Sequence, residues 1–148
     1  MPLKKVINKQ LGELLIEFGV INQQQLEKAL LVQKERRSGL IGEILVELGY
    51  AKEEDIAQAL TVQYGFPYLP LSSYEISPEI ISLVPAKIAR TYLLIPIDKI
   101  GNTLTLVMAN PLNTKAVEEV EQHCGCSIQT FVSTISDVKN AIEKYYGR

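Results

Sequence analysis

The chain has 148 residues, enough for one domain or two small ones. Apolar residues make up 47% and charged residues 22%, the shares of an ordinary folded protein, which excludes a chain too polar to build a core. With 15 basic and 17 acidic residues the net charge is −2, and that balance excludes a nonspecific nucleic-acid binder, which needs a clustered cationic face.

The opening stretch "MPLKKVINKQLGELLIEF" has early lysines, but Gly12, Glu13 and Glu17 interrupt its apolar run, so it is neither a signal peptide nor a membrane span. Leu11, Leu14, Leu15 and Phe18 fall at i, i+3, i+4 and i+7, one face of a helix. Gly19 then supplies a C-cap. Asn22 followed by Gln25 has the form of a reciprocal N-cap opening a second helix, which carries Leu26, Ala29, Leu30 and Gln33. The basic run "KERR", Lys34 to Arg37, reads as a solvated turn.

The same pattern then returns. Gly12, Glu13, Leu15, Glu17 and Gly19 match Gly42, Glu43, Leu45, Glu47 and Gly49, and Ala29, Leu30, Val32 and Gln33 match Ala59, Leu60, Val62 and Gln63. A single amphipathic hairpin cannot bury its own apolar face, so a duplicated helix-turn-helix predicts two hairpins packed as a four-helix unit. After Gly65, "FPYLPLSSYEISPEI" reads as a connection with one short extended piece. Two strands follow, Tyr92 to Ile97 and Thr103 to Met108, joined as a hairpin across "DKIGN". "TKAVEEVEQHCG" predicts a helix ending at Gly125, "SIQTFVST" a strand, and "SDVKNAIEKYYG" a closing helix capped by Ser136. The expected fold is therefore α+β, with a duplicated helix-turn-helix, four-helix subdomain over 1–65, a linker over 66–77 and a small α/β sandwich over 78–148.

Catalytic and metal signatures are missing from the sequence. It holds no GxxxxGK[ST] phosphate loop, no nucleophile with a partnered base and no assignable carboxylate pair, so the expectation is a chain that is not an enzyme. Cys124 and Cys126 are too close for a structural disulfide framework and lack the second pair that zinc wants, and they read as reduced thiols in a cytoplasmic protein. His123 reads as a solvated side chain, and Asp98 and Asn102 as turn residues. No metal and no obligatory cofactor are expected. Leucines at helical spacing are chiefly core. For the repeated Gly and Gln, ligand binding and scaffold stay open alternatives.

With these residues in view, the chain resembles, over essentially its whole length, the N-terminal domain of type II secretion and type IV pilus assembly ATPases, the MshEN type. In that family a tandem motif, roughly "RLGxx[LVI][LVI]xxG[LVI][LVI]xxxxLxxxLxxQ", takes cyclic di-GMP in many members. The resemblance implies a cytoplasmic, non-catalytic regulatory and docking module, with cyclic di-GMP as a regulatory ligand. Its implied partners are an ATPase motor domain and the cytoplasmic part of an inner-membrane platform protein, which would place it peripheral to that membrane through partners, without inserting. Carried onto this sequence, the ligand residues implied are Gln10, Leu11, Gly12, Leu26, Leu30 and Gln33 in the first copy, Leu40, Ile41, Gly42, Ile56, Leu60 and Gln63 in the second, and Asn110 in "MANP".

The chain departs from the motif where charge is concerned. Gln10 and Leu40 stand where the family has arginine, and Asn110 where many relatives have aspartate. Arginine is the side chain suited to bidentate contact with phosphate or guanine, and a lost charge-assisted hydrogen bond costs about 1.5–3 kcal/mol. Lys9, Arg36 and Arg37 are the nearby cations the sequence offers in exchange. The alternative is a protein-binding adaptor with a degenerate nucleotide site.

Overall fold

The computed structural model describes residues 11–37 and 39–147, with residue 63 described by its backbone alone. Helix α1 (Leu11–Glu17) buries Leu11, Leu14 and Leu15, while Phe18, the fourth member of the stripe, lies past the helix end and is partly exposed. Gly19 takes the left-handed conformation (φ 75°), and the backbone N–H of Val20 returns to Leu15 O at 2.9 Å, closing the helix end. Helix α2 (Gln23–Arg36) opens with the expected reciprocal cap: Gln25 N donates to Asn22 Oδ1 at 2.8 Å and Asn22 N donates to Gln25 Oε1 at 2.9 Å. It runs on through Lys34, Glu35 and Arg36, so "KERR" is the last turn and cap of a helix rather than a turn between helices. Basic side chains there complement the carbonyl end of the helix dipole, and Arg37 itself ends α2 at φ 57°.

The second copy repeats this construction. Helix α3 (Ile41–Glu47) ends at Gly49 (φ 78°), where Tyr50 N donates to Leu45 O at 2.9 Å, the counterpart of the bond at Val20. Helix α4 (Glu53–Tyr64) stops at left-handed Gly65.

Between the repeat and the sheet, the chain is more structured than its Pro and Ser content announced. Tyr68 pairs in parallel with Val132, a 3-10 turn covers Leu71–Ser73, and two short helices follow, α5 (Pro78–Ile81) and α6 (Ala86–Tyr92). Pro78 sits in the first turn of α5 and Pro85 is the N-cap of α6, positions where a missing N–H costs nothing. Tyr92 is thus the last residue of α6 and not the start of a strand. Leu93, at φ 52°, turns the chain into β1 (Leu94–Ile100).

Strand β1 pairs antiparallel with β2 (Thr103–Met108) through a two-residue turn, Gly101–Asn102, whose positive φ at Gly101 matches a tight hairpin. A bulge at Ile97 shifts the register between Pro96 and Asp98. Helix α7 (Thr114–Cys124), capped by Asn113 and ended by Gly125, carries the chain over to β3 (Ser127–Val132), which lies parallel to β2 in the order β1-β2-β3. Helix α8 (Ile135–Tyr146) closes the fold. Its N-cap is Thr134, which accepts from Asp137 N at 3.2 Å, and not Ser136 as the sequence suggested.

The sheet is covered on both faces, most fully at the start of β1 and the end of β2, whose residues are buried on both sides. Leu94, Leu104, Leu106 and Met108 pack with Ala116 and Val120 of α7, while Ile95, Ile97 and Val107 join a cluster with Val138 and Ile142 of α8. That second cluster runs on without a break through Ile56, Leu45 and Leu14 into the helical repeat. Polar ties reinforce the junction. Glu53, at the start of α4, accepts from both Ser136 N (2.5 Å) and Ser136 Oγ (2.7 Å), and Lys139 of α8 pairs with Glu43 of α3 at 2.6 Å.

Candidate functional site

Five of the residues named from the motif meet on one wall. Leu11 from the first copy, Leu40, Gly42 and Ile56 from the second, and Asn110 from the loop after β2 line a small recess between the repeat and the sheet, together with Glu43, Leu93, Ala109 and Ile135. The local folding explains the convergence. Leu11 and Gly42 each stand in the first turn of a short helix, and Gly42 presents backbone so close to its neighbours that an added Cβ would lie 3.3 Å from Leu11 Cδ2. Leu40 is the half-buried N-cap of α3 and has no side-chain acceptor; its N–H donates instead to Glu43 Oε1 at 3.3 Å. Asn110 Oδ1 accepts from Leu112 N at 3.1 Å, which fixes the side chain and leaves its amide NH2 as a donor.

The other named residues go elsewhere. Gly12 packs under Leu26, and both are buried; Leu60 is fully buried core; Leu30 is 44% exposed. Ile41 is half-buried against the core. Gln33 Nε2 donates to Gly39 O at 3.1 Å, so its side chain braces the α2–α3 turn. Gln10 lies outside the described residues, as does the side chain of Gln63. Of the cations offered in exchange for the arginines, Lys9 is likewise outside, and Arg36 is paired with Glu47 at 2.6 Å.

The recess itself encloses only about 10 Å³, room for at most one water. A purine fits this place only by lying across its mouth. Such room exists next to it: Leu93 also lines an open groove of about 470 Å³ between α6 and α8, together with Arg90, Lys139, Ile142 and Glu143. That size is within the range of ligand sites. Recess and groove together offer an apolar wall, an amide and two cations, Arg90 and Lys139, set beside two carboxylates, Glu43 and Glu143, so the charges of the place balance. None of the groove residues stood out in the sequence, because they belong to the second half of the chain and meet the motif copies only through packing.

Elsewhere the described residues offer little chemistry. No three His, Cys, Asp or Glu side chains among them converge on a metal position, and no helix among them is long and apolar enough to cross a membrane. Cys126 Sγ donates to Cys124 O at 3.5 Å, and burial raises the Cys124 thiol above its ordinary pKa, which makes it a poorer nucleophile. The hydrogen bond to Glu119 raises the Tyr92 phenol. Burial pushes Tyr146 up to about 12; its hydroxyl bonds Val84 O at 2.8 Å, a structural use.

Comparison with known proteins follows the same outline. The MshEN domain family matches residues 64–148, from the end of α4 to the end of the fold. Type IV pilus assembly ATPase PilB of Myxococcus xanthus is 36% identical over 93% of the chain, and that of Thermus thermophilus is 31% identical over 99%. The matched regions are N-terminal in those ATPases, and the chain spans about a quarter of the length of the first and a sixth of the second, at 24% and 16%. A solved structure of MshE with cdg superposes with a TM-score of 0.68 at 27% identity, covering 94% of this chain and 100% of that one. The N-terminal domain of XpsE shares the fold, with a TM-score of 0.75 at 21% identity over 97% of this chain and 99% of that one.

Proposed function

This chain belongs to the MshEN domain family, and from that membership we propose that it is a non-catalytic regulatory module of a type IV pilus or type II secretion ATPase, responsive to cyclic di-GMP. The observation that carries the reading is the meeting of both motif copies with Asn110 on one wall. The likeness to MshE, solved with cdg, supports the choice of ligand. A guanine laid over the mouth of the recess would rest on half-buried Leu40, with Leu11 and Ile56 buried beneath it, while the Asn110 amide donates to a carbonyl or ring nitrogen.

Binding there would act by geometry. The wall is built from α1, α3, α4 and the sheet, so a ligand spanning it favours one arrangement of the repeat against the sheet. An attached motor would feel that preference through its differential affinity for two arrangements. The partners are the motor domain and the cytoplasmic part of a membrane platform protein.

Isothermal titration of the chain with cyclic di-GMP, with cyclic di-AMP and GTP as controls, tests this. Saturable micromolar binding is the expected result, with hydrogen-exchange protection rising in α1 and α3. No binding up to about millimolar ligand, a free energy weaker than roughly −4 kcal/mol, sinks the reading. The second reading, a protein-binding adaptor with a degenerate nucleotide site, draws support from Leu40 in place of arginine and from Leu31 and Val62, which stand largely exposed on α2 and α4. Capture of platform protein by the chain without any nucleotide, with no titration heat, selects it.

A further inference from the structure

A cyclic dinucleotide carries two phosphodiester charges, and a site for it needs cations or aligned N–H donors close to its apolar seat. Leu40 brings no charge to the recess, and Arg36 is held by Glu47 at the far end of α3. Two cations of the second half of the chain stand beside the recess. Lys139 Nζ reaches from α8 to Glu43, one residue from Gly42, and Lys139 also lines the adjoining groove. Across that groove stands Arg90 of α6, whose Nη2 donates to Gly147 O at 2.7 Å and to Tyr146 O at 3.4 Å. Those two carbonyls hold the guanidinium through Nη2, and Arg90 lines the groove. Leu93 joins the two spaces, since it lines both the recess and the groove.

Resting on the reading above, we propose that Lys139 and Arg90 take over the phosphate contacts of the missing motif arginines, so that the ligand spans the recess and the α6–α8 groove. Two acidic side chains face the same space. Glu43 is already occupied by Lys139 and by Leu40 N–H, and Glu143 stands on α8 one turn beyond Lys139. Lys139 has three N–H donors and gives one direction to Glu43, so it binds phosphate without leaving α3. Arg90 is oriented in advance, which lowers the entropic cost of the contact. The base rests on the recess side, over Asn110 and half-buried Leu40, and the anionic backbone on the groove side. Ligand binding in this arrangement draws α8 and α3 onto one molecule.

Titration of the folded chain with cyclic di-GMP at low and high salt, using charge variants, reads this directly. Lys139→Gln and Arg90→Gln each weaken binding about tenfold or more, and Lys139→Arg stays within about threefold of the parent. The salt dependence of the affinity flattens in Lys139→Gln. Glu43→Gln separates contact from bracing: it retains the Leu40 cap and frees Lys139, so affinity holds or rises. A loss in Glu43→Gln equal to that in Lys139→Gln overturns the proposal, because Lys139 would then act only through its ion pair. Parent-like affinity in Lys139→Gln, checked as folded by circular dichroism, overturns it as well while leaving the ligand reading intact. Absence of binding in the parent chain removes both.

Discussion

Replacing Gly12 by alanine sets two effects of known size against each other. Alanine is favoured over glycine inside a helix by about 1 kcal/mol, so on propensity alone α1 gains. The new Cβ, however, would lie 2.5 Å from Leu26 Cδ1 and 3.1 Å from Cδ2, and Leu26, only 7% exposed, has to turn its δ carbons within the core to clear it. Overpacking of that kind costs about 1–3 kcal/mol, so Gly12→Ala should lose about 1 kcal/mol net. At the equivalent Gly42 the nearest atom, Leu11 Cδ2, stands at 3.3 Å and has to give by only a few tenths of an ångström, so Gly42→Ala should lose less than Gly12→Ala and stay within about 1 kcal/mol of the parent. Urea unfolding of both variants, and of Gly12→Ala combined with Leu26→Val, decides the matter. Valine lacks the δ carbons, so in that background Gly12→Ala should become stabilising, with a coupling of about 1–3 kcal/mol. A coupling below about 0.3 kcal/mol, or a stabilising Gly12→Ala in the parent chain, refutes the argument that Leu26 dictates the glycine.

Three further expectations concern the junction and the closing helix. Glu53→Gln weakens the two-pronged hold on Ser136 and should cost about 1 kcal/mol, read by thermal unfolding; an unchanged midpoint would show that the contact contributes nothing. Ser133 is 1% exposed and its Oγ has no partner, so Ser133→Ala should be neutral or stabilising by about 1 kcal/mol in urea, and a clear loss would reveal an unseen bond. Tyr146 keeps its proton in the folded chain up to about 12, whereas an unfolded tyrosine ionises near pH 10. Its contribution is therefore complete below about pH 10 and is lost as the pH rises toward 12. Tyr146→Phe should flatten stability against pH in that window, and an identical slope in both proteins would assign the alkaline loss elsewhere.

The sequence carried the repeat well because each junction is local: Asn22 caps with Gln25 three residues on, and Gly19, Gly49 and Gly65 mark ends by backbone conformation alone. The hairpin turn at Gly101 and the end of α7 at Gly125 were legible for the same reason. Where a helix ends without glycine, the signal vanishes. Arg37 and Leu93 both take positive φ with full side chains, which is why "KERR" looked like a turn and Tyr92 like a strand residue. At α8 the choice between Thr134 and Ser136 was settled by a contact 83 residues away, since Glu53 already occupies Ser136. The candidate site divides along the same line. Leu11, Leu40, Gly42 and Ile56 were implied by the resemblance to the family motif, whereas Leu93, Lys139 and Arg90 reach the place only through tertiary packing. The same motif implied Leu30, which is 44% exposed, and Leu60, which is core.

The single bridge between Tyr68 and Val132 has a bearing on how copies of this fold behave side by side. Val132 N donates to Pro67 O and Leu69 N to Val132 O, so the connection begins a fourth strand along β3. The next bond in a parallel ladder would need an N–H at residue 67, and proline has none; on the other side the chain curls into the 3-10 turn at Leu71. The C-terminal end of β3 is thereby occupied by a segment that cannot lengthen. Neighbouring molecules crowded into one assembly find no template there for edge-to-edge pairing, so this end of the sheet resists polymerising even at high local concentration.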